Sequence, residues 1–157
     1  AQGLPVVLDG ISMGCTTVLL ATELDLPDQV KAVVADCGFT SAWEQIKHTI
    51  KTNMRLPAFP SLYLVSLFAR IFAGIRLRGC DTRKAMEKNT TVPVFFATGT
   101  RDRVVPPEMT KQNYEACRAP KMLLLTEAAH GMSYLAAKAE YEKQLEDFLE
   151  GCLKQID

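Results

Sequence analysis

Three residues combine suitable chemistry with suggestive surroundings: Ser12, Asp102 and His130. A serine hydroxyl is a weak nucleophile at neutral pH and needs an adjacent base. An imidazole can take the serine proton and hand it on to a leaving group, and a carboxylate can hold the imidazole's tautomer and stabilise the imidazolium. On this reading Ser12 is the nucleophile, His130 the base and Asp102 the acid, and the chemistry is acyl transfer. Ser12 lies in Gly10-Ile11-Ser12-Met13-Gly14, a Gly-x-Ser-x-Gly nucleophile-elbow pattern that reverses a strand into a helix and exposes the serine. The helix start offers unpaired N–H groups to a developing oxyanion, with the Met13 backbone N–H as one donor. The pentapeptide alone also suits a plain strand–helix turn, so the downstream residues decide between the two.

Each candidate follows a segment that reads as a strand. Leu4 to Leu8 is an apolar run leading into the elbow, and Met13 to Leu24 reads as the helix after it. Val30 to Cys37, Pro93 to Thr98 and Lys121 to Thr126 are further short apolar runs, which suit buried parallel strands. Strand, helix and strand within about 35 residues make a βαβ unit and imply a parallel sheet. The carboxyl ends of such strands line the ligand crevice. Helices are expected from Ala42 to Asn53, from the cap at Asp81 or Thr82 to Asn89, from Pro106 to Arg118, and from Ala137 to Lys154. The last should bury Tyr141, Leu145, Phe148, Leu149 and Cys152 on one face.

Asp36 ends the second strand and reads as a buried carboxylate bonded to loop N–H groups. His48 falls on a helix expected to be exposed, with no strand end nearby, and is not assigned a role. Ser61 to Ile75 is a very apolar run, but it holds Arg70 and is shorter than the ~20 residues a membrane span needs. It reads as a helical insertion over a pocket, or else as an ordinary core helix.

The 157 residues are 48% hydrophobic with zero net charge, enough for one core and without the basic excess of a nucleic-acid partner. Five scattered cysteines form no C-x-x-C pair. They read as small buried apolar residues in a reducing, cytoplasmic setting rather than as a disulfide frame or metal site. Ala1-Gln2-Gly3 runs almost at once into the first strand, so the native N-terminus is expected to lie outside this chain.

Taken together, Gly10-Ile11-Ser12-Met13-Gly14, then Gly99-Thr100-Arg101-Asp102-Arg103-Val104-Val105-Pro106, then Ala129-His130-Gly131 resemble the α/β-hydrolase superfamily. The chain looks most like bacterial serine hydrolases of the serine-aminopeptidase and acylglycerol-lipase-like group. Gly99, Asp102, Val105 and Pro106 meet that group's Gly-x-x-Asp-x-x-Val-Pro pattern. Thr98 stands where a histidine is common, which leaves the acid untouched. Some α/β-hydrolases carry the triad acid at the end of the strand that Asp36 ends here, so the resemblance makes Asp36 the runner-up acid.

The resemblance implies an α/β fold of about eight strands, of which this chain supplies four: the C-terminal half. It implies a single partial domain over 1–157, with the core at 1–40 and 81–157 and a helical cap or lid insertion at about 41–80. The loop that gives the second oxyanion donor would be missing, and a lost donor typically costs about 10²–10³ in rate. The expected activity is hydrolysis of carboxylic esters or related acyl bonds on small molecules, with no cofactor and no metal. The isolated half is expected to be nearly inactive. Its elbow strand would lie at an open sheet edge that invites the missing half or a second copy. The rival reading is a non-catalytic interaction module that associates through this edge and the apolar helix.

Overall fold

The valine- and phenylalanine-rich runs do form the strands. The computed structural model describes residues 3–153 and joins four strands in one parallel sheet. They are β1 (Val6–Ile11), β2 (Val30–Asp36), β3 (Val94–Gly99) and β4 (Lys121–Thr126), lying side by side in chain order. Helix α1 (Met13–Ala21) links β1 to β2. Helices α2 (Ala42–Thr52), α3 (Ala58–Ala73) and α4 (Thr82–Lys88) lie between β2 and β3. Helix α5 (Pro107–Ala116) links β3 to β4, and α6 (Ser133–Ala136) and α7 (Lys138–Leu153) follow.

Strand alternation sends successive side chains to opposite faces. Val33, Ala35, Val94 and Phe96 pack with Cys15 and Leu19 of α1 and Met86 of α4. Ala32, Val34, Phe95 and Ala97 face the other way, onto Tyr141 and Phe148 of α7. Leu145, Leu149 and Cys152 join that second cluster, as the spacing on the last helix predicts. β3 is buried along its whole length. Among the described residues β1 has only one neighbouring strand, and Val6 and Val7 stay 42% and 38% exposed.

Several boundaries move for physical reasons. β1 continues three residues past Leu8, because Asp9, Gly10 and Ile11 still pair with Val34, Ala35 and Asp36; polar Asp9 interrupts the apolar run but not the ladder. α1 ends at Ala21 rather than Leu24, since the N–H groups of Thr22, Glu23 and Leu24 bond three residues back and tighten the chain into a turn. The short α6 lies where the sequence suggested only the end of a loop. The expected end of the last helix, Lys154, is outside the described residues.

Residues 41–80 depart most from the readings above. The serine half of the capping box forms, with the Glu44 N–H donating to Ser41 Oγ at 3.2 Å, while the Glu44 carboxylate pairs with Lys47. α3 buries only Leu62, which overturns the ordinary core-helix alternative. Among the described residues no helix is long and apolar enough to cross a membrane. α2 braces the loop after β3: Gln45 Nε2 donates to the Val104 carbonyl at 2.8 Å, and His48 Nε2 to the Arg103 carbonyl at 3.2 Å. His48 is therefore half-buried and touches a strand-end loop, contrary to expectation. The cysteine reading holds for buried Cys15, Cys37 and Cys117, less for half-buried Cys152, and fails for exposed Cys80; all five are free.

Candidate active site

At the end of β1 the chain reverses in one residue. Ser12 takes φ 57° and ψ −115°, a left-handed conformation that costs a non-glycine residue about 1–3 kcal/mol. Two backbone bonds hold it: the Ser12 N–H donates to the Asp36 carbonyl at 2.9 Å, and its own carbonyl accepts from the Thr16 N–H at 3.2 Å. Gly10 makes the turn possible, since a Cβ there would stand 2.4 Å from the Gly14 backbone. Gly14 is different: a Cβ on it would meet open space, so the close approach depends on Gly10 alone. Met13 opens α1, and its N–H is one of the orphan donors of a helix start, beside the Ser12 hydroxyl.

Asp102 lies three residues past the end of β3, with its side chain fully buried. Its Oδ1 accepts from the N–H groups of Val104 at 2.8 Å and Val105 at 2.9 Å. Its Oδ2 faces His130 Nδ1 at 2.7 Å. His130 sits in the loop after β4, and its Nε2 lies 2.9 Å from Ser12 Oγ. The imidazole therefore bridges the serine and the carboxylate. With Nδ1–H donated to Asp102, Nε2 carries the lone pair that faces the hydroxyl.

The two loops that carry Asp102 and His130 are joined. The Arg101 N–H donates to the Ala128 carbonyl at 3.0 Å, and Arg101 also pairs with Glu127. Gly99 lets them touch, because a Cβ there would lie 2.2 Å from the Ala128 carbonyl oxygen. Gly131, at φ 67°, turns the chain just after the histidine.

Asp36 is elsewhere. It is buried, and its Oδ1 accepts from Ser133 Oγ at 3.1 Å, not from loop N–H groups as expected and not from His130. Burial raises its pKa, while the Ser133 hydroxyl pulls the other way. The sequence offered no signal for Ser133 or for Cys37, which sits at φ 47° between the strand ends. Burial pushes the Cys37 thiol up to about 12. Cys37, Asp102 and His130 have ligand atoms within 4.8 Å of one another, the one set among the described residues that could approach a metal. Its acid and imidazole are already paired with each other, which leaves only a neutral buried thiol unengaged by that pair.

The comparisons with known proteins agree with this architecture. The chain is 31% identical over 144 residues to the uncharacterized protein YqkD of Bacillus subtilis (strain 168), across 91% of this chain and 47% of that protein. A Pyrococcus furiosus esterase superposes with TM-score 0.67 at 21% identity, covering 95% of this chain and 54% of the esterase. An acylaminoacyl peptidase of Pyrococcus horikoshii superposes with TM-score 0.66 at 16% identity, covering all of this chain and 25% of the peptidase. These likenesses show the α/β-hydrolase fold, and the chain spans about half the length of YqkD and of the esterase. The profile of the family described as serine hydrolase (FSH1) matches residues 8–137, a stretch that holds Ser12, Asp102 and His130, and the chain belongs to that family.

Proposed function

We propose that this chain carries the catalytic triad of an enzyme that cleaves carboxylic esters or related acyl bonds through an acyl-enzyme. Ser12 attacks the acyl carbon, His130 takes its proton, and Asp102 holds the imidazole and stabilises its charged form. The Met13 N–H at the start of α1 receives the oxyanion. His130 then protonates the leaving group, and a water activated by the same nitrogen releases the acid. The observation that carries this reading is the imidazole bridge, 2.9 Å to Ser12 Oγ and 2.7 Å to Asp102 Oδ2. Exposed Ile11, Met13, Val104 and Met132, each within two residues of a triad member, favour an apolar acyl group. The region 41–80 acts as a cap that reaches the acid loop through Gln45 and His48.

Fluorophosphonate labelling tests the reading, with mass spectrometry to place the adduct. We expect the label on Ser12 and none in Ser12→Ala. A folded chain that stays unlabelled at Ser12 would refute it.

One observation favours a second reading. Among the described residues no strand pairs with the outer edge of β1, and a hollow of about 400 Å³ beside it is lined by Val7, Ile11, Tyr134 and Leu145 with the carboxylates of Asp9 and Asp36. Such an edge accepts another strand. On this reading the chain is an interaction module that associates through β1, with a second copy or with the rest of a longer hydrolase. Association that rises with concentration, without labelling at Ser12, would select it.

A further inference from the structure

The stripe Tyr63, Ser66 and Arg70 runs along one side of α3 at spacings of three and four. Left-handed Gly74 then ends the helix and turns the chain back. Leu77 is buried there, and its carbonyl accepts from the Trp43 N–H at 3.1 Å, which ties the returning segment to the start of α2. Exposed Arg76 and Arg78 flank that buried residue. The result is a pocket of about 220 Å³ walled by Trp43, Tyr63, Ser66, Arg70, Arg76 and Arg78. Tyr63 meets Trp43 edge-on at 5.4 Å, and the Arg78 guanidinium lies over the same indole at 3.8 Å.

Three arginines line this pocket, and no acidic residue does. Glu44 and Asp81 line an adjoining hollow on the far side of Trp43 and Arg78, where they pair with Lys47 at 3.3 Å and Arg83 at 2.6 Å. The imbalance extends beyond the pocket. Residues 41–80 hold Lys47, Lys51, Arg55, Arg70, Arg76 and Arg78 against Glu44 alone, in a chain whose net charge is zero. Like charges gathered in excess repel one another, and an anion relieves them. Guanidinium forks pair bidentately with carboxylate and phosphate oxygens. One carboxylate brings a single charge and two oxygens, too little for three forks and the Ser66 hydroxyl. A phosphate group brings more oxygens and up to two charges, and the aromatic wall suits the organic part it esterifies.

The geometry points to a binding site for a phosphate-bearing group in this pocket, away from Ser12 and independent of whether Ser12 is a nucleophile. Two sources present that chemistry: a soluble phosphate ester, or the headgroup of an anionic phospholipid. Exposed Leu64, Phe68, Ile71 and Phe72 add apolar surface on the same helix.

Trp43 is the sole tryptophan, so its fluorescence reports on the pocket directly. Inorganic phosphate is titrated into the 157-residue chain at constant ionic strength, with chloride as the control. In parallel, the chain is sedimented with phosphatidylcholine vesicles, with and without phosphatidylglycerol. We expect a saturable Trp43 response to phosphate or selective sedimentation with the phosphatidylglycerol vesicles. Either should weaken at least tenfold in Arg76→Gln and in Arg70→Gln, both exposed positions, and persist in Ser12→Ala. A response to phosphate alone identifies a soluble ester, and selective sedimentation identifies the lipid. No response in either arm, or responses that survive both arginine substitutions, would overturn the site.

Discussion

Asp36 holds Ser12 through its carbonyl, at 2.9 Å from the serine N–H, while its carboxylate accepts from Ser133 Oγ at 3.1 Å. One residue at the end of β2 thus braces both the elbow and the segment three residues beyond His130. The carboxylate does this while buried, which raises its pKa. A carboxyl whose folded pKa lies above its unfolded value binds more protons folded than unfolded. Its burial therefore costs nothing at a pH below the unfolded value, and the cost grows as pH rises through the folded pKa. In Asp36→Asn the oxygen that accepts from Ser133 remains and the ionisation is gone. The melting temperature of the variant relative to the parent should rise between pH 4 and pH 7. Thermal unfolding at the two pH values checks this, and an opposite trend would mean that the anion is the favoured buried form.

Gly99 makes the contact between the acid and histidine loops possible. A Cβ would sit 2.2 Å from the Ala128 carbonyl oxygen, against backbone that has no rotamer by which to yield. Gly99→Ala should cost about 1–3 kcal/mol by forcing the loops apart. It should also lengthen the Asp102–His130 contact and slow any labelling of Ser12. The parallel measurement at Gly14, where a Cβ meets open space, should show little stability change for Gly14→Ala. Equal losses at the two positions would remove the steric account.

How much of this was legible in the sequence follows from what each feature depends on. The four strands and the α7 face were readable because burial alone sets their apolar patterns: β3 is buried on both sides, and Tyr141, Leu145 and Phe148 recur at helical spacing. The helix caps at Ser41 and Asp81 were readable because they are local. Ser12, Asp102 and His130 could be singled out because each sits in a short motif beside a strand end. The hydroxyl of Ser133, the brace from His48 and the converging arginines were not legible. They depend on which loops the fold brings together, across 97 residues for Asp36 and Ser133 and 55 for His48 and Arg103. For α3 the sequence left an insertion and a core helix both open, since an apolar composition says nothing of what packs on it.

Asp81 offers a local test of the region that leads into α4. Its Oδ1 accepts from the Arg83 N–H at 3.1 Å as the N-cap, and its carboxylate pairs with the Arg83 guanidinium at 2.6 Å. The hydrogen bonds from Arg83 hold the Asp81 carboxyl below its ordinary pKa. A depressed acid contributes stability that is present above its unfolded pKa and is lost as pH falls through the folded one. Asp81→Ala should therefore destabilise the chain at neutral pH by about 1 kcal/mol, the usual worth of such a cap. The deficit should shrink in acid. Chemical denaturation at pH 7 and pH 3 compares the two, and a deficit that stays constant with pH would assign it to helix propensity alone.

The sharpest test of the acid is Asp102→Asn. The oxygen that accepts from Val104 and Val105 can be kept, so the loop keeps its form. The amide then turns its N–H toward His130 Nδ1, which must accept. The proton moves to Nε2, the nitrogen that faces Ser12 at 2.9 Å, and the imidazole can no longer take the serine proton. If Asp102 holds the tautomer as proposed, the second-order rate of fluorophosphonate labelling should fall by about 10⁴, with little change in melting temperature. Asp36→Asn serves as the internal comparison, because its carboxylate bonds Ser133 and not the imidazole. Labelling in that variant should stay within about tenfold of the parent, since it alters no atom in contact with the reacting groups. Should the two substitutions exchange these effects, Asp36 would be the acid and the observed 2.7 Å contact of Asp102 only structural.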